Sequence, residues 1–235
     1  MKYRRFLPCL MAVLTATAAL RAADAGGNFL PAGAIEAKTV VPPPPAAGSV
    51  AALADLETVL QVQAARTPAD VAWAKLVAKD SAFDYAAVLG PWFTRENLPV
   101  TAEFLKQVTA DTLTASRSLK GLYARPRPPR TDPTVHPCVE LPDSGSYPSA
   151  HSMRAFVWAA VLGEIFPDRQ VELYTRAHRA AWGRVMGGVH FPSDLVGGRL
   201  LAQAIVAELR KNPAYHAAVL KCRAEAAPFL LKKAA

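Results

Sequence analysis

The chain has 235 residues, 51% of them hydrophobic and 20% charged, with a formal net charge of +8. This is enough apolar material for one domain with a sizeable core and leaves no room for a second large one. The positive excess is moderate and not gathered into long runs, so it suits an anionic small substrate as well as a nucleic acid and does not choose between them.

Residues 1–25 join a basic start (Lys2, Arg4, Arg5) to an apolar run from Phe6 to Leu20 and a small-residue stretch, Ala23-Asp24-Ala25. This pattern predicts a secretory signal peptide. Its removal takes Cys9 with it and lowers the net charge to roughly +5, leaving Cys138 and Cys222. In an oxidising compartment an even pair suggests one disulfide, with two separate buried thiols as the alternative. Residues 26–50 hold four consecutive prolines, Pro42 to Pro45, and predict an extended Pro-rich leader, either a free arm or packed on the domain, because proline lacks the backbone donor that helices and central strands need.

From Val50 onward, alanine and leucine alternate with spaced charges. The pattern predicts a single all-α domain over residues 51–235, with helices near 50–66, 68–79, 98–120, 149–166, 169–184, 193–211 and 213–227. Pro and Gly punctuate it. The stretch from Ala124 to Pro148 is long for a structureless loop in a compact domain, which suggests that it serves a site. No later segment is long enough to span a membrane. Tyr123 and the segment 80–95 are candidates for the mouth of that site, and His136, His178 and His216 are read as structural.

Three helix ends carry ionisable residues on apolar stripes. Ser149, after Pro148, is a natural N-cap, and from His151 the apolar positions Ala155, Trp158, Leu162 and Ile165 follow at helical spacing. Arg184 ends a stripe of Leu173, Ala177, Ala180 and Ala181, an expensive place for a charge unless an anion meets it. Asp194, in the first turn after Pro192, continues to Leu201 and Ile205, with His190 four residues before it. Each has a structural explanation, as packed histidine, salt bridge or cap; together they make a candidate site. No pair of histidines has metal-ligand spacing, and "GSYPSAH" is not a GxSxG nucleophile elbow. Lys120, Arg127, Arg184 and the N–H groups at the Ser149 helix start instead predict an oxyanion site, most simply for phosphate.

These residues fall in order into three blocks: Lys120-(x6)-Arg127-Pro128, Pro148-Ser149-Ala150-His151 and Gly183-Arg184-(x5)-His190-(x3)-Asp194. In this the chain resembles the phosphatidic acid phosphatase type 2 and vanadium haloperoxidase superfamily, and within it the bacterial class A non-specific acid phosphatases. The resemblance implies a helical, periplasmic or secreted phosphomonoester hydrolase without metal or cofactor, acting on small substrates rather than nucleic acid polymers, outside the membrane and as a homo-oligomer. It implies His190 as nucleophile, Asp194 as its partner and His151 as acid and base. Lys120, Arg127, Ser149, Ala150 and Arg184 are then the phosphate cradle. Phosphate transfer to alcohols belongs to the same expectation. Two positions depart from the family pattern: Ala150 stands for the usual glycine and Gly183 for the usual serine. A vanadate-dependent haloperoxidase and a non-catalytic phosphate-binding module are the rival readings.

Overall fold

The computed structural model describes residues 29–231 apart from residue 32; the expected signal peptide and Cys9 lie outside them. In chain order the helices are α1 (Ala37–Val40), α2 (Val50–Ala65), α3 (Pro68–Ala78), α4 (Ala86–Leu89), α5 (Pro99–Tyr123), α6 (Pro128–Thr131), α7 (Ala150–Ile165), α8 (Gln170–Met186), α9 (Pro192–Leu209) and α10 (Pro213–Leu231). Two 3-10 turns, Ala82–Tyr85 and Pro167–Arg169, complete the set, and no strand occurs among the described residues. None of these helices is long and apolar enough to cross a membrane.

Proline and short hydroxyl side chains set the helix starts. Pro occupies the first turn of α3, α5, α6 and α9, where its missing N–H costs nothing. Ser49 caps α2 by accepting from the Ala52 N–H at 3.2 Å. Thr67 and Asp70 form a reciprocal capping box on α3.

α7 is the centre of the bundle. From Ser152 to Ile165 it is buried except at Arg154 and Glu164. Its run of alanine, valine, phenylalanine and tryptophan is apolar on every side, as befits a helix surrounded by others. α8 and α9 lie along it. The approach of α9 depends on Gly198, where a Cβ would run into the Ser149 carbonyl and stand 2.9 Å from Ser152 Cβ. α3 crosses α8 at Gly183, where a Cβ would meet Val77 Cγ2 at 2.5 Å. The family's usual serine at 183 would therefore require Val77 to shift.

The Pro-rich leader is a packed strap that includes the single turn α1. Phe29 is buried against Phe104 and Tyr215, and its N–H donates to Asp111 at 2.9 Å. Farther along, Tyr123 and Tyr147 donate to the carbonyls of Val41 and Pro42 at 3.0 and 2.6 Å. Tyr123 thus faces the strap and not the mouth of the site. The strap in turn steadies the residues leading into Ser149. The long loop is likewise partly helical, with α6 starting straight after Arg127.

The expected Cys138–Cys222 disulfide is not formed; both thiols are free. They sit on different seams of the bundle. Cys138 lies over the end of α8, its N–H donating to the Gly187 carbonyl at 3.2 Å. Cys222 is fully buried on α10 and bonds toward Thr101 of α5, and burial pushes its thiol up to about 11.

Candidate active site

The three blocks converge at the N-terminal ends of α7 and α9 and the C-terminal ends of α5 and α8. Asp194 caps α9 by accepting from the Phe191 N–H at 2.9 Å, and the same oxygen, Oδ2, faces His190 Nδ1 at 3.0 Å. The other oxygen accepts from Arg125 at 2.8 Å. One carboxylate therefore both caps α9 and fixes the position of the histidine ring. Burial pushes the Asp194 carboxyl up, against Arg125 and the Phe191 N–H, which favour its charge. With a guanidinium and a backbone N–H donating to it, Asp194 is the acceptor of the Nδ1–H bond.

His190 is buried, and desolvation together with the charges of Arg127, Lys120 and Arg184 holds it well below the usual histidine range. Burial and the surrounding cations therefore favour its neutral form. With the proton on Nδ1, Nε2 carries the lone pair, consistent with Arg127 Nη1 standing 3.2 Å from it as donor.

The cations surround that lone pair. Lys120, in the last turn of α5, donates to the Gly145 carbonyl at 2.8 Å. Arg127 donates to the carbonyls of Ser144 and Val189, each at 2.8 Å. Burial lowers Lys120 to about 8, and Arg127 and Arg184 each to about 10. Arg184 is the exceptional one: it is 2% exposed, and its buried Nε and Nη1 have no hydrogen-bond partner. Ser149 begins α7, its N–H on the Asp194 carbonyl at 3.0 Å and its Oγ accepting from the Ser152 N–H at 3.3 Å. The N–H groups of Ala150 and His151 open the same helix and have no acceptor within it.

His151 Nε2 lies 3.2 Å from the Ala78 carbonyl, which only a protonated nitrogen can satisfy, so Nδ1 is the free position. Asp80 Oδ1 is 3.6 Å from Nε2. Burial lowers His151 to about 4 although Asp80 works to raise it. His151 and Arg184 share the wall of a cavity of about 980 Å³ that opens between α3 and the Cys138–Pro142 segment. No group of three or more His, Cys, Asp or Glu able to hold a metal is assembled among the described residues.

A profile of the PAP2 superfamily matches residues 102–216. The non-specific acid phosphatase of Providencia stuartii is 30% identical over 207 residues, 82% of this chain and 81% of that one. The chain belongs to the PAP2 superfamily. The non-specific acid phosphatase of Salmonella typhi is similar to this PAP2 chain over 94% of it, at 28% identity and with 90% of the relative covered. The enzyme class read from the motif, a phosphomonoester hydrolase, is the one these relatives share. Among solved structures, the first bacterial vanadium-dependent iodoperoxidase superposes with a TM-score of 0.58 at 19% identity, over 74% of this chain and 53% of that one. That likeness is one of fold.

The motif passes over several groups that build the PAP2 site. Arg125 bridges Asp194 and Asp55, each at 2.8 Å, and stacks on Phe191 with its guanidinium carbon 4.1 Å from the ring centroid. Asp55 also accepts from the Ser193 hydroxyl and N–H. Just before Arg125, Ala124 takes a left-handed φ of 42°, a strain of about 1 kcal/mol for a residue with a Cβ. The only local signal was the doubled Arg-Pro of residues 125–128. Asp80, on the segment expected at the mouth, holds Arg154 at 2.7 and 3.1 Å besides approaching His151.

Proposed function

We propose that this chain is an exported acid phosphatase that hydrolyses small phosphomonoesters through a phosphohistidine, without metal. The observation that carries the reading is Arg184, a buried guanidinium with two unpartnered nitrogens beside His190, whose Nδ1 faces Asp194 Oδ2 at 3.0 Å. A phosphoryl group seated there would give Arg184, Arg127 and Lys120 the oxyanion they lack. Charge spread over three equatorial oxygens is what such a clamp stabilises.

His190 Nε2 attacks phosphorus, the ester P–O bond breaks, and a phosphohistidine forms while Asp194 keeps the Nδ1 proton. His151 delivers its Nδ1 proton to the leaving oxygen. A bound phosphate dianion favours the imidazolium, opposing the burial that holds the free site near 4. Neutral again, His151 takes a proton from water as that water attacks phosphorus; the P–N bond breaks and its electron pair returns to Nε2. The 980 Å³ groove beside His151 has room for an alcohol in place of that water, which supports phosphate transfer as a side reaction. Location in the periplasm follows from the basic-apolar-small pattern of residues 1–25. Self-association rests on the family resemblance.

Hydrolysis of a phosphomonoester panel with and without chelator tests the reading. Activity should survive chelation and be inhibited by vanadate, whose five-coordinate form imitates the transferring group. Loss of activity in chelator, restored by zinc or magnesium, would overturn it.

A further inference from the structure

Buried arginine nitrogens without partners occur on three residues among those described: Arg184, Arg176 and Arg199. Arg184 is the phosphate clamp. Arg176, two turns earlier on α8, has the same signature: it is 9% exposed, its Nε is unpartnered, and no carboxylate lies within ion-pair distance. It lines a second cavity of about 430 Å³, walled by Ala87 and Val88 on the far side and by Trp73 and Arg179 on the near side. Arg179 has no ion pair either, and both guanidiniums stack on the Trp73 ring, their carbons 4.7 and 4.0 Å from its centroid. Two cations sharing one indole repel each other and await an anion.

The two carboxylates of this cavity have other partners at hydrogen-bond distance, and the Asp84 charge acts on Arg176 from beyond ion-pair range. Glu172 pairs with Arg169 at 3.0 Å, and Asp84 accepts from the Ser81 N–H at 3.0 Å. Leu76 and Asp84 border both this cavity and the catalytic groove. Eight residues of helix put Arg176 about 12 Å from Arg184 along the axis.

We infer that the cavity beneath Arg176 and Arg179 is a second oxyanion subsite for a phosphate-class anion, with Trp73 and Val88 as the wall against which any carbon chain joined to that anion lies. The anion is either free phosphate or the distal charged group of a substrate whose other end is at His190; the second case rests on the phosphatase reading, the first does not.

Equilibrium dialysis with labelled inorganic phosphate should find two sites per chain, and one in Arg176→Met. Ala87→Trp, which fills the cavity from an exposed position and leaves both arginines in place, should also leave one, and guards against misfolding of the arginine variant. In the kinetic arm, alkanediol bisphosphates with spacers of about 12 Å are compared with the monophosphates of the same diols. If the anion belongs to the substrate, kcat/KM should favour the bisphosphate by roughly tenfold. Both variants should then abolish that preference while p-nitrophenyl phosphate turnover stays unchanged. Two sites without a bisphosphate preference would assign the subsite to free phosphate. One phosphate per chain in the wild type, with no bisphosphate preference, would overturn the inference. A chain inactive on every ester but binding two phosphates would refute the phosphatase reading and leave the subsite standing.

Discussion

At the scale of single residues, the two histidines of the site differ by what each is bonded to. His190 turns Nδ1 to Asp194, which leaves a lone pair on Nε2; His151 turns Nε2 to a backbone carbonyl, which leaves Nδ1 free. Replacing His190 by alanine should therefore end turnover of every substrate, since no covalent intermediate can form. His151→Ala should slow alkyl phosphates by about 10² to 10⁴, and aryl phosphates much less in the first step, because a phenolate leaves unprotonated. A burst of phenol and a trapped, acid-labile phosphoenzyme should follow in that variant. Equal losses on both substrate types in single turnover, with no trapped species, would show His151 to have another role. Charge around these groups also fixes a pH profile. kcat/KM reports ionisations of the free enzyme, so for alkyl substrates it should rise as pH falls toward 4, where His151 gains its proton, and decline above about 8, where Lys120 loses its own. The Asp80 charge favours the imidazolium, so Asp80→Asn should move the acid limb to lower pH. A limb that stays in place would make Asp80 a partner of Arg154 alone.

At the scale of elements, glycine decides how near two helices can come and so where the catalytic ends meet. Gly183→Ser would restore the family's usual residue, yet its Cβ would press on Val77 and on Trp73 Nε1, the latter at 3.2 Å. Relief of such overpacking typically costs about 1 to 3 kcal/mol. The variant should melt lower, with kcat little changed on substrates that use only the catalytic clamp. Gly198→Ala should do more harm, because the obstruction is the Ser149 carbonyl, which cannot rotate away, and any shift there moves the phosphate cradle. Thermal melts beside kcat for both variants check the order; a more active or more stable Gly183→Ser would show that α3 yields easily. The same two positions show what the sequence could and could not reveal. Helix starts were legible because Pro, Ser and Thr act through neighbours three or four residues away, and the observed helices fall within a few residues of the expected ones. The stripe through His151 discriminated nothing, since α7 is buried on all sides. Gly183 was legible only as a lost hydroxyl, because the side chains that crowd the position come from α3, more than a hundred residues earlier.

At the scale of the whole molecule, what escaped the sequence is pairing over long separations. Arg125 meets Asp55 and Asp194 across about 70 residues on each side, and no local pattern marks Asp55 as part of a site. The cysteines illustrate the opposite error, a pairing inferred from number and compartment where geometry provides none. Cys138 faces the catalytic groove and Cys222 the seam of α10 with α5. A bridge between them would have contributed about 2 to 4 kcal/mol by restricting the unfolded chain; its absence means that stability rests on α7 and the helices packed around it. In protein freed of residues 1–25, a thiol reagent should therefore modify Cys138 in the native state and Cys222 only after unfolding. Vanadate or phosphate in the clamp should slow the first reaction, because Cys138 lines the same groove as Arg184 and His151. Melting curves with and without reductant should coincide. A melting point that drops by several degrees on reduction, with no thiol titrated in denatured, unreduced protein, would mean that the chain closes a disulfide after all and that the loop carrying Cys138 moves to reach α10.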